Sequence, residues 1–298
     1  VDRVLQHNVV AVKAEVGRLV HHGGQRGAQF ARTGTSPNIY EIVTPTGRTV
    51  NPAKGRCWAA SEDKHIMDRI AIVTGASGGI GGAIALRLAQ LGYRLFLLGR
   101  NRSRLNDITT DCNKNSSGTQ FLAGDFLDPA YIDEVEKELN TKFEHFDVLV
   151  NNAGSAIRGP VYKMQMGDWK DLVELNVSVA LKLSNMVLPS MIKRRQGSII
   201  NISSLSGRFS TPGSTLYSAS KHALNGLSGG LYEDVREFDI KVSSIMPGFV
   251  DTSLTADIDR DTKKMITPDD IASAVEFILA SSPTCCPTEI VLRPQRQP

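Results

Sequence analysis

The sequence has little of several residue types that mark specialised proteins. Only four of its 298 residues are cysteine, and their spacing matches neither a zinc site nor a disulfide framework. Basic residues exceed acidic residues by three charges, so no binding to nucleic acid or to a membrane surface can rest on net charge. The low cysteine content, with no secretory pattern in the first residues, favours a cytoplasmic location.

Long hydrophobic runs are also missing. The longest uncharged stretch, residues 70–86, contains five glycines together with Thr74 and Ser77, and we therefore expect no membrane span there. The chain is nevertheless 41% hydrophobic and 22% charged, as is usual for globular proteins. It is expected to fold around a sizeable core rather than to remain disordered.

Residues 1–66 differ in composition from the rest of the chain. They contain nine basic and five acidic residues, several stretches with glycine and proline, and one predicted helix at residues 4–20. We find no binding motif in them. We interpret them as an N-terminal extension, disordered or not native. An appendage, a nucleic-acid tether and sequence upstream of a start at Met67 all stay open.

Residues 67–298 alternate between short apolar runs and longer segments with helical periodicity, which predicts one α/β domain. We expect a doubly wound, parallel, seven-stranded sheet of the Rossmann type with helices on both faces. The predicted strands are residues 70–74, 94–98, 121–123, 148–151, 198–202, 241–246 and 290–292. The predicted helices are residues 81–91, 103–112, 131–143, 168–193, 217–238 and 268–280.

A glycine-rich loop joins the first of these strands to the first helix. It contains Gly75, Ser77, Gly79, Ile80 and Gly81. Glycines allow a tight turn and a close approach of the backbone to a pyrophosphate, whose charge is favourable at a helix N-terminus. The loop therefore predicts a dinucleotide site.

The end of the second strand indicates which dinucleotide binds. The position where an acidic residue would bind the ribose hydroxyls of NAD is Gly99, and Arg100 follows it. A guanidinium can bind a 2′-phosphate, which a carboxylate would repel. NADP(H) is therefore favoured over NAD(H), although Arg100 could also simply be solvated at a helix start. Asp125, after the third strand, could accept a hydrogen bond from adenine or cap the next turn.

Candidate catalytic residues follow the fourth strand and lie in the second half of the chain. Asn152, Ala153 and Gly154 are small or amide-bearing residues at a strand end. Tyr217 and Lys221 are four residues apart on a predicted helix and share one face. A nearby ammonium favours the phenolate, so we expect Lys221 to lower the tyrosine pKa from its ordinary value of about 10.

Together these residues resemble the short-chain dehydrogenase/reductase family over essentially all of residues 67–298. The match rests on the 74–81 loop, the 151–154 motif, Asn176, Ser204 thirteen residues before Tyr217, Lys221, and Pro247-Gly248 followed by Val250-Asp251-Thr252. Residues 1–66 have no counterpart in it. The resemblance implies a homodimer or homotetramer, and hydride transfer between the cofactor and a small-molecule carbonyl or alcohol.

The resemblance also implies roles for single residues. Tyr217 would be the general acid or base, Ser204 would bind the substrate oxygen, and Lys221 would bind ribose hydroxyls. Asn176 would hold a water that links Lys221 to solvent. Thr252 would contact the carboxamide. The implied cofactor-binding residues are Gly75, Ser77, Gly79, Ile80, Gly81, Arg100, Asp125, Asn152, Ala153, Gly154, Tyr217, Lys221, Pro247, Gly248, Val250 and Thr252.

The substrate is less constrained by the sequence. The predicted loops around the site are apolar with two arginines, Arg158 and Arg208, that could anchor an anion or simply be solvated. A 3-oxoacyl thioester or a small 3-hydroxy or 3-oxo acid fits this mixture. Two alternatives stay open: an NAD(H)-dependent steroid or sugar dehydrogenase, and a non-catalytic NADP(H)-sensing protein that contacts partners through residues 1–66.

Overall fold

A computed structural model describes residues 29–32, 40–43, 49–50, 69–256 and 259–298. The chain divides into two units, Val1–Asp63 and Lys64–Pro298. In the first unit, β1 (Gln29–Arg32), β2 (Tyr40–Val43) and β3 (Thr49–Val50) form an antiparallel sheet in that order. The sequence analysis predicted no strand here, because runs of two to four residues give too little alternation to detect. The predicted helix at residues 4–20 lies outside the described residues.

The second unit is built on a parallel sheet of seven strands, which confirms the predicted fold. The strands are β4 (Ile70–Thr74), β5 (Arg94–Gly99), β6 (Gln120–Ala123), β7 (Val148–Asn151), β8 (Gly197–Ile202), β9 (Ile240–Pro247) and β10 (Glu289–Leu292). Their order across the sheet is β10-β9-β8-β7-β4-β5-β6. The order reverses at β4, so a crevice opens beyond the carboxyl ends of β4 and β7.

Helices cover both faces of this sheet. They are α1 (Gly79–Gln90), α2 (Arg102–Asn113), α3 (Pro129–Lys142), α4 (Met166–Val173), α5 (Val179–Arg194), α6 (Thr215–Val235) and α7 (Pro268–Ala280). Alternate residues of β4 point to opposite faces: Val73 packs in a core with α1, α2 and α7, and Ile72 packs in a second core with α3, α5 and α6. The apolar runs that predicted strands are therefore buried on both faces of the sheet, as parallel sheets require.

One predicted helix contains an irregularity. The pattern predicted a continuous helix over residues 168–193, but α4 and α5 are joined by a five-residue π-helical turn, Glu174–Ser178. Hydrophobic periodicity cannot detect one such turn inside a helix. Within the described residues, the stretch Met166–Arg194 is long and apolar enough to cross a membrane by length and composition alone. It is also packed on the sheet through Leu183, Val187 and Met191, which are fully buried.

Candidate active site

The glycine loop after β4 is a cradle that side chains would fill. Gly75 has a φ of +61°, a conformation that favours glycine. A Cβ added to Gly81 would fall on the carbonyl group of Gly75 and lie 2.7 Å from Nδ2 of Asn152. A Cβ on Gly79 would lie 3.1 Å from Cγ2 of Thr252. The glycines therefore let the loop pack closely against its neighbours, and the loop lines the cleft at the N-terminus of α1, where an anionic group is favourable.

A hydrogen-bond network fixes this loop to the end of β7. The buried Thr74 hydroxyl oxygen accepts hydrogen bonds of 2.9 Å from the backbone N–H groups of Asn152 and Ala153. The side-chain amide of Asn152 donates to the carbonyl oxygens of Thr74 and Gly75, at 2.9 and 3.2 Å. Asn152, at the end of β7, thus holds the glycine loop in position.

Gly99, Arg100 and Asp125 lie together at the far end of the cleft. Nη1 of Arg100 is 3.7 Å from Oδ2 of Asp125, and the arginine side chain is 72% exposed. Oδ1 of Asp125 accepts a hydrogen bond from the N–H of Leu127 at 3.1 Å, so Asp125 does cap its turn. A Cβ on Gly99 would lie 2.9 Å from Oγ of Ser77. The guanidinium is therefore held only loosely and is free to turn toward a ligand.

Ser204, Tyr217 and Lys221 meet where β8 faces the N-terminal half of α6. The Ser204 hydroxyl accepts a 3.1 Å hydrogen bond from the N–H of Ser206, and it is close enough to Tyr217 to lower the pKa of the phenol. Nζ of Lys221 lies 5.9 Å from the centre of the Tyr217 ring and donates a 2.9 Å hydrogen bond to the carbonyl oxygen of Ile202. The predicted shared face of the helix is therefore the face that borders the cleft.

Burial governs the protonation of these two side chains. Burial raises the pKa of Tyr217, while the hydrogen bond from Ser204 and the charge of Arg158 lower it to a smaller extent. Burial lowers the pKa of Lys221 from 10.5 to about 8. The expectation that Lys221 lowers the Tyr217 pKa below its ordinary value is corrected: the net shift is upward, because desolvation of the phenolate outweighs the favourable contacts.

Asn176 lies in the π-helical turn and is buried. Its side-chain oxygen accepts a hydrogen bond from the N–H of Ser155 at 2.9 Å, and its amide donates to the Ser155 carbonyl and to Oγ of Ser220, both at 3.0 Å. The side chain therefore connects α6 to the loop after β7. Its predicted role in holding a water stays a prediction.

The segment after β9 closes the other side of the cleft. Gly248 donates a backbone hydrogen bond of 2.8 Å to the carbonyl oxygen of Leu292, which joins this segment to β10. Thr252 faces the glycine loop across the cleft, since Cγ2 lies close to Gly79. Pro247 and Val250 line the same wall.

A cleft of about 1280 Å³ brings the predicted residues together. Every predicted cofactor-binding residue lines it, as does Ser204, whereas Asn176 lies behind its wall. Arg158 lines the cleft, but Arg208 does not and instead pairs with Glu289 at 3.4 Å. The sequence analysis missed three further lining arginines: Arg260, Arg293 and Arg296. The last two follow β10, and the carboxyl end of a strand was the signal available for them.

Comparison with known proteins agrees with this geometry. The family model for short chain dehydrogenase matches residues 69–263. An uncharacterized oxidoreductase of Staphylococcus saprophyticus is 36% identical over 231 residues, which make up 77% of this chain and 99% of the relative. A metagenomic short-chain oxidoreductase solved in complex with NADP has a TM-score of 0.68 and 31% identity, covering 78% of this chain and 100% of the other. A closed serine dehydrogenase complexed with NADP+ has a TM-score of 0.68 and 28% identity, covering 75% and 94%.

Proposed function

Because the chain belongs to the short-chain dehydrogenase family, we propose that it interconverts a carbonyl compound and the corresponding secondary alcohol with NADP(H). In the reductive direction, a ketone, NADPH and a proton give the alcohol and NADP+. The observation that carries this proposal is that Ser204, Tyr217 and Lys221 line the same cleft as the glycine loop. Proton transfer and dinucleotide binding would thus occur in one space.

The cleft fits the cofactor at both of its ends. The glycine loop lines the cleft at the start of α1, a position that suits a pyrophosphate. Lys221, beside the catalytic tyrosine, suits the ribose hydroxyls. When bound, NADPH supplies a hydride to the carbonyl carbon.

Proton transfer to and from the substrate oxygen is carried out by the chain's own residues. Since burial raises the pKa of Tyr217, its phenol is protonated at neutral pH and donates to the carbonyl oxygen as negative charge develops there. Ser204 donates a second hydrogen bond to that oxygen and orients it. In the oxidative direction Tyr217 accepts the proton of the alcohol.

Arg100 and Gly99 support NADP(H) in preference to NAD(H). Arg100 is largely exposed beside the glycine loop, and no side chain at position 99 competes for the ribose. Two solved relatives that are complexes with NADP or NADP+ are 31% and 28% identical to this chain. Together these observations favour the 2′-phosphorylated dinucleotide.

The substrate we propose is a 3-oxoacyl thioester or a small 3-hydroxy or 3-oxo acid. Arg158 lies in the cleft beside apolar Leu205, Phe209 and Leu254, which suits a short carbon chain that carries an anionic group. The solved relative described as a serine dehydrogenase is named for a 3-hydroxy acid substrate. We further propose a cytoplasmic enzyme that assembles as a homodimer or homotetramer.

Replacement of Tyr217 by Phe tests this function. We expect kcat for ketone reduction to fall about 100-fold or more, because general acid catalysis is lost. NADPH binding, followed by its fluorescence, should persist because the glycine loop is unchanged, so that the loss falls mainly on the chemical step. Full reductase activity in Tyr217→Phe would contradict the proposal.

A further inference from the structure

Besides Arg100, four arginines line the cleft among the described residues: Arg158, Arg260, Arg293 and Arg296. We propose that they form an anion site in which Arg158 binds a carboxylate two bonds from the reacting carbon, so that the substrate is a short 3-oxo or 3-hydroxy acid rather than a neutral ketone. This inference rests on the proposed function, because it concerns the substrate of the same cleft. It also chooses between the two substrate classes given above.

The cleft is lined by more positive than negative charges. Among the described residues that line the cleft, Asp125 is the single acidic one, and it pairs with Arg100 near the glycine loop. Arg158, Arg293 and Arg296 form no ion pair with any described residue, whereas Nη1 of Arg260 contacts the backbone oxygen of Pro298. Several cations that share one cleft without a counter-ion repel each other and favour an anionic ligand.

Arg158 lines the same cleft as Tyr217 and Ser204. One of its nitrogens, Nη1, donates a 3.3 Å hydrogen bond to the carbonyl oxygen of Leu254. A guanidinium has five N–H donors, so donors remain for a carboxylate. The positive charge of Arg158 also lowers the pKa of Tyr217, against the larger effect of burial. The two groups therefore share one electrostatic environment.

Arg260 provides a second cation that is held in place. Its guanidinium lies 4.2 Å from the centre of the Phe249 ring, and Nη1 donates a 3.1 Å hydrogen bond to the backbone oxygen of Pro298, the last residue of the sequence, which compensates part of its charge. Its Nε is buried and has no hydrogen-bond partner among the described residues. A fixed, incompletely satisfied guanidinium adds to the positive potential in which an anion would bind.

Arg208 supplies a matched contrast on the same protein. It is another partly exposed arginine on a loop that borders the site, but it lies outside the cleft and pairs with Glu289 at 3.4 Å. Its charge is compensated locally. Removal of Arg208 therefore controls for a general loss of positive charge.

The test compares three ketones that share one carbon chain: acetoacetate, its neutral ethyl ester, and its coenzyme A thioester. For the wild type we expect kcat/KM to be about tenfold or more higher for the acid than for the ester, because a bidentate contact to arginine is charge-assisted. Arg158→Met lowers kcat/KM for the acid about 10- to 100-fold, mainly through KM, and the acid then loses its advantage over the ester. Arg208→Met keeps the wild-type preference.

Two kinetic results would overturn the inference. In one, Arg158→Met lowers kcat/KM for acid and ester by the same factor, which means that Arg158 does not bind the carboxylate of the substrate. In the other, the thioester is preferred and Arg158→Met leaves that preference intact, which assigns the anion to the phosphates of a carrier.

Binding measurements separate this inference from the proposed function. Calorimetric titration of acetoacetate into the protein without cofactor should give a dissociation constant that is about tenfold or more weaker for Arg158→Met than for Arg208→Met. If Arg158→Met instead weakens NADPH and leaves acetoacetate unchanged, Arg158 belongs to the cofactor site and the inference is wrong. If no ketone is turned over, the proposed function fails, and the titration still decides the anion site.

Discussion

Burial acts in opposite directions on two titratable side chains of α6. It raises the pKa of Tyr217 and lowers that of Lys221, since in both cases the neutral form is favoured away from water. The tyrosine is thereby kept as an acid at neutral pH. Protonation of Lys221 costs free energy in the folded state and not in the unfolded state. This residue of the site therefore lowers the free energy of unfolding at any pH where it is charged.

The pH dependence of unfolding should reveal this cost. Between pH 8, near the folded pKa of Lys221, and pH 10.5, its ordinary value, the unfolded state binds the proton and the folded state does not. Stability therefore rises with pH through this window, by about 2–3 kcal/mol from this residue. In Lys221→Met that rise is absent. Denaturant unfolding of both proteins over the window measures the difference, and parallel curves would contradict the burial of a titrating ammonium.

Gly99, at the end of β5, is the position at which we expect cofactor preference to change most readily. Gly99→Asp should move the preference from NADPH toward NADH by about tenfold or more in kcat/KM, because a carboxylate repels the 2′-phosphate and accepts from a ribose hydroxyl. Gly99→Asn is the matched control: its Cβ meets Oγ of Ser77 at the same 2.9 Å, but it carries no charge. If both variants had the same ratio of kcat/KM for NADPH and NADH, repulsion of the 2′-phosphate by a carboxylate would not explain the change in preference.

At the scale of elements, the glycine loop depends on the close approach of backbone atoms. An Ala side chain at position 81 meets the Gly75 carbonyl group and Nδ2 of Asn152, so the loop must shift. We expect Gly81→Ala to weaken NADPH binding about tenfold or more and to destabilise the fold by about 1–3 kcal/mol.

Gly167, near the start of α4, is the control for this substitution, because a Cβ there meets nothing within 4 Å. Gly167→Ala should change stability by no more than about 0.5–1 kcal/mol and leave NADPH affinity intact. Fluorescence titration and thermal unfolding measure both effects. Wild-type NADPH affinity in Gly81→Ala would show that the loop does not form the cofactor site.

The elements of the catalytic domain could be predicted because each carries a local signal. The strands read as short apolar runs, and α7 begins with a capping box between Thr267 and Asp270 that the sequence displays. The π-helical turn around Asn176 and the short strands β1 to β3 could not be predicted. The former depends on contacts with Ser155 and Ser220, which are distant in sequence, and the latter are too short for a pattern.

At the scale of the whole domain, the site is assembled from the carboxyl ends of separate strands. Tyr217 and the glycine loop were predictable because motif spacing identifies them. Arg293 and Arg296 were missed although they follow a predicted strand, since the sequence does not show that β10 lies beside β9 and brings these residues to the cleft. The sequence also does not show how deeply Tyr217 is buried. Because burial raises the pKa of Tyr217, the predicted downward shift was wrong.

Assembly is a further property at this scale. On α6, Ala223, Gly226 and Gly230 are exposed at helical spacing, and a Cβ on either glycine meets nothing within 4 Å. Such a surface allows close approach of a second helix. We expect light scattering to give a mass of two or four times the 32.4 kDa of one chain, and Gly230→Arg to reduce it. A monomer at micromolar concentration would contradict the expectation.

Transfer of deuterium tests the central claim most directly. The purified protein would be incubated with acetoacetate and NADPH deuterated at C4 of the nicotinamide, with a separate sample for each face of the ring. We predict that, for one face, the alcohol product carries deuterium on the carbon that was the carbonyl, and that Tyr217→Phe forms this product at least about 100-fold more slowly. An alcohol product without deuterium from either face, or no alcohol from any ketone despite NADPH binding, would contradict the account.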